Sequence, residues 1–321
     1  MVLAVTACRA EALDVLSIEL RDPSDAPLPA FEPGAHIEVI VPAFDGSREL
    51  VRHYSLCNTS AEAHRYVIAV GRVDDGRGGS RAMHEHIRIG SRLSVKTPGN
   101  NFPLVHDARR YRFVAGGIGI TPILSMIRWC ESNQKDWTLL YCTRNRLRAS
   151  FYETLRAYGA RVRFHFDDEE GGKYPDLVRE LDVQEGSHVY CCGPQQLMHA
   201  VQKVCETWPA GNVHFEWFSA PDAPIGDLTL PDRAFEVVLR SSGRRLTVRA
   251  NSSILETLEQ AGVNVPFACR EGLCGSCETR LCGGEADHRD YVLSAPAREA
   301  QKSIMICVSR ASSAVLMLDI D

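Results

Sequence analysis

Four cysteines constrain the C-terminal third of this 321-residue chain more than any other feature. Cys269, Cys274 and Cys277 follow a C-x4-C-x2-C spacing, and Cys307 comes further on. This is the plant-type arrangement for a [2Fe-2S] cluster, in which four thiolates supply two ligands to each iron. Gly272 and Gly275 lie in the same loop, where the lack of a Cβ lets backbone N–H groups approach the cluster sulfurs. A structural zinc site is the competing reading. Zinc usually takes paired C-x2-C knuckles, however, and the x4 spacing does not provide them. Cys282 is near enough to be a spare ligand but falls outside the pattern, and reads as a packed free thiol.

The chain holds 12 cysteines. Without an export signal these point to thiols and metal ligands in a reducing cytoplasm rather than to a disulfide framework. The N-terminal MVLAVTACRAEALDV lacks a basic leader and reaches Glu11 and Asp14 early, so a signal peptide is not expected. No apolar run approaches the roughly 18 to 20 residues of a membrane span. The net charge of -5 comes without basic blocks, which argues against a nucleic-acid partner.

The length calls for two or three domains. From Val5 to Leu104, short strand-like runs (DVLSIEL, HIEVIV, RYVIAV, RLSVKT) alternate with turn clusters, the texture of an antiparallel β-barrel or sandwich. Tyr111 to Ala115 then reads as a buried strand leading into a helix. WTLLYC, RVRFHF and HVYCC repeat that pattern, which implies a doubly wound parallel α/β sheet. Ser219 to Asp232 reads as a linker. A third domain opens with a hairpin, FEVVLR and RLTVRA around SSGR, followed by a helix candidate at Ser253 to Ala261. The expected boundaries are 1–106, 107–224 and 233–321.

Three further segments carry ligand chemistry. Arg52-His53-Tyr54-Ser55-Leu56 closes a strand and Gly76-Arg77-Gly78-Gly79-Ser80 follows later. A tyrosine can lie against a flavin ring, an arginine can neutralise a phosphate, and glycines with a serine can present N–H and O–H groups to it. Alone, the two segments read more readily as a core tyrosine beside a surface arginine and as an ordinary hairpin loop. Ala115-Gly116-Gly117-Ile118-Gly119-Ile120-Thr121-Pro122 ends a strand and starts a helix, with Thr121 expected at the N-cap and Pro122 at N1. The N–H groups of such a start can meet a pyrophosphate. Cys192-Gly193-Pro194 ends another strand, where open α/β sheets bind ligands. A soft thiol there can lie against a nicotinamide ring, although a buried cysteine is more often only packing.

In this order the motifs resemble the phthalate dioxygenase reductase family of the ferredoxin-NADP reductase superfamily, which includes vanillate demethylase reductases. The resemblance covers essentially the whole chain. It implies an FMN-binding β-barrel, an NAD-binding α/β domain and a C-terminal β-grasp ferredoxin domain. It places Arg52, His53, Tyr54 and Ser55 on the flavin, Ala69 and Val70 along it, and Gly78, Gly79 and Ser80 at its phosphate; His53 occupies a variable motif position. Gly117, Gly119, Ile120, Thr121, Cys192, Gly193 and Pro194 fall at the nicotinamide site, with Phe218 shielding the flavin face. Ser55 and Cys192 stand at the reacting ends. Thr143, Arg144 and Arg146 fall where NADH and NADPH are told apart. The family usually uses NADH, and the arginines make NADPH possible.

The implied activity is hydride transfer from nicotinamide to flavin, followed by single-electron transfer to the cluster and on to a terminal oxygenase of the Rieske non-haem iron type. Demethylation or hydroxylation of a small aromatic acid would be that partner's work. A monomer docking transiently is expected, guided by Arg270, Glu271 and Glu278. Two rivals stand beside it: a reductase serving a cytochrome P450 or a separate ferredoxin, and a redox-sensing binding protein that does not turn over.

Overall fold

Period-two burial gives the N-terminal strands one face to hide, as in His36–Val41, where every second residue is buried. The structure, a computed structural model, describes residues 1–42, 49–76, 78–182, 185–209, 211–219, 233–267 and 269–320. Arg77 and, apart from Ser219, the expected linker lie outside the described residues. Two compact units emerge, Met1–Phe218 and Ser219–Asp321.

In the first unit, β1 (Val2–Ala12), β2 (Val15–Arg21), β3 (His36–Val41), β4 (Leu50–Ser55), β5 (Tyr66–Gly71) and β6 (Arg92–Val95) form an antiparallel sheet. Its order is β4-β3-β6-β1-β2-β5. A bridge between Leu56 and Ile68 joins the outer strands and closes the barrel. Ile18, Leu20, Ile37, Val39, Leu56 and Ile68 fill its interior and are fully buried. The helix α1 (Gly79–His86) packs against β3, β4 and β5 and sends Met83 into that interior. The glycine segment therefore opens a helix rather than a plain loop, a change the run of turn residues conceals.

The parallel sheet follows in the same unit. β7 (Arg110–Gly116), α2 (Ile120–Ser132), β8 (Asp136–Thr143), α3 (Tyr152–Arg156), β9 (Val162–Phe166), α4 (Leu177–Glu180), β10 (Ser187–Cys192), α5 (Gln195–Val204) and β11 (Val213–Glu216) give the strand order β11-β10-β7-β8-β9. Phe113, Leu139 and Tyr141 pack with α2 on one face, while Val114, Leu140 and Val189 pack with α4 and α5 on the other. The strand order reverses between β7 and β10, leaving a crevice at their C-terminal ends. The same helix α2 meets the barrel. Gly34 donates to Ser125 Oγ at 3.1 Å, and Arg128 donates to the Cys57 carbonyl at 2.8 Å.

The second unit comprises β12 (Phe235–Leu239), β13 (Arg245–Val248), α6 (Ile254–Gln260), β14 (Glu278–Gly283), β15 (Ala286–Asp287), α7 (Ala295–Glu299), β16 (Ser303–Met305), β17 (Arg310–Ala311) and β18 (Val315–Leu318). Its five-stranded sheet runs β13-β12-β18-β14-β16, with β12 and β18 parallel at the centre. The helix α6 buries Ile254, Leu255 and Leu258 in the same apolar cluster as this sheet, giving a β-grasp. A capping box starts α6: Ser253 accepts from the Glu256 N–H, and Glu256 accepts from the Ser253 N–H, both at 3.0 Å. Replacing Ser253 with Ala should destabilise this unit by about 1 kcal/mol, read as a lower denaturant midpoint with an unchanged slope. An unchanged midpoint would show that packing alone holds the helix.

Candidate functional site

The four pattern cysteines converge in the second unit. Cys277 Sγ and Cys307 Sγ are 3.2 Å apart, and the Cys269 and Cys274 thiols are hydrogen-bonded. The loop takes this shape by passing through the left-handed region at Arg270, Gly272 and Gly275. A Cβ at Gly272 would lie 2.6 Å from Val308 Cγ2. Hydrogen bonds from Cys274 and Cys307, and from the N–H groups of Glu271 and Leu273, hold the Cys269 thiol well below its ordinary value. The same hydrogen bonds push the donor thiols Cys274 and Cys307 up. Because Cys269 bonds to both Cys274 and Cys307, and Cys307 also meets Cys277, the four thiols form one connected donor set, and with the C-x4-C-x2-C spacing that set fits a [2Fe-2S] cluster. Cys282 lies on β14 with the Arg240 guanidinium at 3.8 Å.

At the barrel, β4 and α1 bring the two flavin motifs together. A Cβ on Gly79 would fall 2.5 Å from Arg52 Nε, so the arginine lies directly on the start of α1. Gly78 caps that start at φ +84 with open space around it and no side-chain cap. Among the described residues no side chain caps that start, which leaves its first-turn N–H groups to an anion. The Ser80 hydroxyl accepts from the Val73 N–H at 3.1 Å, tying α1 to the end of β5. Tyr54 presents a buried hydroxyl that has no hydrogen-bond partner among the described residues. Ser55 is buried beside it.

Strand alternation separates the remaining residues. His53 lies across from its neighbours, 5.1 Å from the His36 ring. The Ala69 side chain joins the cluster around α2, whereas Val70 points into the barrel core. Only the backbone of Val70 could meet a flavin, and its carbonyl is held by His84 Nε2 at 2.8 Å.

The nicotinamide motifs meet back to back across the crevice. A Cβ on Gly119 would lie 2.2 Å from the Cys192 carbonyl oxygen, and one on Gly193 would lie 2.8 Å from the Gly116 nitrogen. Gly116 would likewise strike Pro194 Cδ at 2.4 Å. Glycine is required here because backbone packs on backbone. Gly117, at φ +52, faces open space.

One expectation is corrected. The chain winds through a short 3-10 turn at Gly117–Gly119, so α2 begins at Ile120 with Gly119 as its cap. Thr121 and Pro122 sit inside the first helical turn, and the Thr121 hydroxyl donates to the Ile118 carbonyl at 2.9 Å. At the end of β8, Thr143 donates to the Asn145 carbonyl at 3.0 Å. Arg146 is held 3.6 Å from Glu169 and over the Tyr152 and Phe166 rings. The exposed Arg144 side chain has no ion pair or hydrogen bond among the described residues.

Burial keeps the crevice uncharged. Cys192 is fully buried, which raises its thiol well above the ordinary value. Glu216 stands beside it in register on β11, and burial pushes its carboxyl up to about 8. Phe218, two residues on, is exposed. Sequence reasoning missed Glu216, since nothing in HFEWF marks that carboxylate as lying against Cys192. It also missed Tyr141, whose hydroxyl donates to the Gly117 carbonyl and accepts from the Ser150 N–H, each at 3.0 Å. Nothing in WTLLYC singles out that tyrosine.

Two outcomes follow. Gly119→Ala should lower NADH-dependent dye reduction at least about tenfold, because the added methyl overlaps backbone, while flavin and iron contents stay at wild-type levels. Full activity would remove the crevice from the reaction. Glu216 ionises near 4.5 when unfolded and about 8 when folded, so stability is lost as pH rises through that window. Glu216→Gln should leave the melting temperature at pH 4 unchanged and raise it at pH 9; equal shifts at both would contradict the burial.

Comparison with known proteins agrees with this layout. A family model of the 2Fe-2S iron-sulfur cluster binding domain matches residues 237–312, and one of the oxidoreductase NAD-binding domain matches 113–203. A phthalate dioxygenase reductase of Burkholderia cepacia is 45% identical over 96% of this chain and 94% of its own. The solved phthalate dioxygenase reductase aligns with a TM-score of 0.71 at 42% identity, covering 100% of this chain and 98% of that one. An intact type IV self-sufficient cytochrome P450 monooxygenase aligns with a TM-score of 0.89 at 37% identity, over 99% of this chain and 41% of the longer one. Among the described residues no helix is long and apolar enough to cross a membrane. The chain belongs to the phthalate dioxygenase reductase family of the ferredoxin-NADP reductase superfamily, the NAD(P)H-dependent iron–sulfur flavoprotein reductases of multicomponent oxygenase systems.

Proposed function

We propose that this protein draws electrons from NADH and delivers them, through FMN and its own [2Fe-2S] cluster, to a Rieske non-haem iron oxygenase. The observation that carries the reading is the convergence of Cys269, Cys274, Cys277 and Cys307 into one connected set of thiols, in a chain that also builds the Gly119–Cys192 crevice. We divide the chain into an FMN barrel at 1–106, a nicotinamide domain at 107–224 and a ferredoxin domain at 233–321.

Bound together, the cofactors supply hydride acceptance and its release as single electrons. The residues position them. Arg52 and the α1 start meet the FMN phosphate, with Tyr54, Ser55 and the Ala69–Val70 backbone against its ring. Gly117 leaves room for the dinucleotide, and the neutral thiol of Cys192 lies beneath the crevice without adding a competing charge. Phe218 covers the flavin face. Arg144 is the cation placed to meet a 2′-phosphate, because Arg146 is engaged by Glu169. Twelve cysteines, four of them cluster ligands, favour a reducing cytoplasm, and a monomer meeting its oxygenase transiently suits a chain that carries its own electron relay.

The likeness to the self-sufficient P450 favours a second reading, delivery to a haem partner. Turnover with a purified Rieske oxygenase but not with a P450 separates the two. Cys307→Ser should keep NADH-dependent dye reduction near wild type while abolishing reduction of the partner. Undiminished delivery to the partner would break the proposed route.

A further inference from the structure

The cluster loop rests on a segment that none of the chemistry above uses. Asp290 is fully buried. A Cβ at Gly272, between Cys269 and Cys274, would lie 3.1 Å from Asp290 Cα, and the Tyr291 N–H donates to the Gly272 carbonyl at 2.9 Å. On its other side the Arg289 N–H donates at 3.1 Å to the hydroxyl of Ser309, which follows Cys307 closely. The segment is thus held between both halves of the ligand set.

The Asp290 carboxylate accepts from the N–H groups of Val292 at 3.0 Å and Leu293 at 2.7 Å. Arg298 lies 3.9 Å from it and donates to the Asp290 carbonyl, while His288 Nδ1 stands 3.8 Å from its second oxygen. Burial alone would push this carboxyl up. His288, the Leu293 and Val292 N–H groups and the Arg298 charge outweigh burial and hold it below the ordinary carboxylate range. Asp290 is therefore an anion at neutral pH. Arg270 and Glu278 stand exposed, where water and salt screen them. An interior charge acts across a lower effective dielectric and is felt by its neighbours.

We propose that the buried Asp290 and its half-buried partner Arg298 set the reduction potential of the cluster, the carboxylate lowering it and the guanidinium raising it. An electron added to the cluster brings negative charge towards a fixed carboxylate, which opposes it. Arg298 offsets that opposition only in part. This rests on Cys269, Cys274, Cys277 and Cys307 being the cluster ligands.

Asp290→Asn keeps the shape and one carbonyl oxygen for the Val292 and Leu293 N–H groups while removing the charge. Arg298→Gln removes the opposite charge. Redox titration of the holoproteins, followed by the spin signal of the reduced cluster with iron and labile sulfide assayed alongside, reads both. Asp290→Asn should raise the cluster's electron affinity about tenfold, which is about 59 mV for one electron, and Arg298→Gln should lower it. Unchanged potentials, or both variants moving in one direction, overturn the proposal, as does loss of cluster from Asp290→Asn with an unmoved Arg298→Gln. Absence of iron and sulfide from the parent protein would instead overturn the ligand assignment on which it rests.

Discussion

The redox reading of the first unit depends on two backbone turns lying in contact. Gly116 and Gly119, at the end of β7, meet Cys192 and Gly193, at the end of β10, at distances that admit no Cβ. Parallel strands alone would leave their ends separated by the side chains of the turns. Removing those side chains lets the carbonyl edge of one turn seat against the other at the strand reversal. Tyr141 braces the arrangement from below through the Gly117 carbonyl, and α2, which begins there, carries Ser125 and Arg128 to the barrel. Packing and ligand geometry are thus one feature in this unit.

Charge is handled differently at the two redox centres. Around the nicotinamide crevice, burial favours neutral forms, and Cys192 and Glu216 both keep their protons near neutrality. Hydride transfer needs close, uncharged contact and gains nothing from a fixed anion beside it. In the second unit the opposite holds. Asp290 stays ionised although buried, so fixed charge is retained beside the cluster loop.

Much of this was legible in the sequence because its strongest signals are local. The C-x4-C-x2-C spacing, the period-two strands and the strand-to-glycine junctions at Gly116 and Gly193 each need only neighbouring residues to be read. What stayed hidden depends on the third dimension. Thr121 looks like a cap until the 3-10 turn at Gly117–Gly119 is seen to start the winding earlier. Strand alternation sends the Val70 side chain into the barrel core and leaves only its backbone on the other side, which the local sequence does not reveal. Tyr141, His84 and Asp290 act through contacts with residues distant in sequence, so no local pattern marks them.

The central claim is that one polypeptide carries electrons from a nicotinamide through a flavin to a cluster. Anaerobic titration of the purified protein with NADH, following the flavin and iron–sulfur absorption bands together, tests it most directly. The account predicts that both bands bleach as NADH is added. Bleaching of the flavin with no iron–sulfur band, or with that band unchanged at excess NADH, would contradict it.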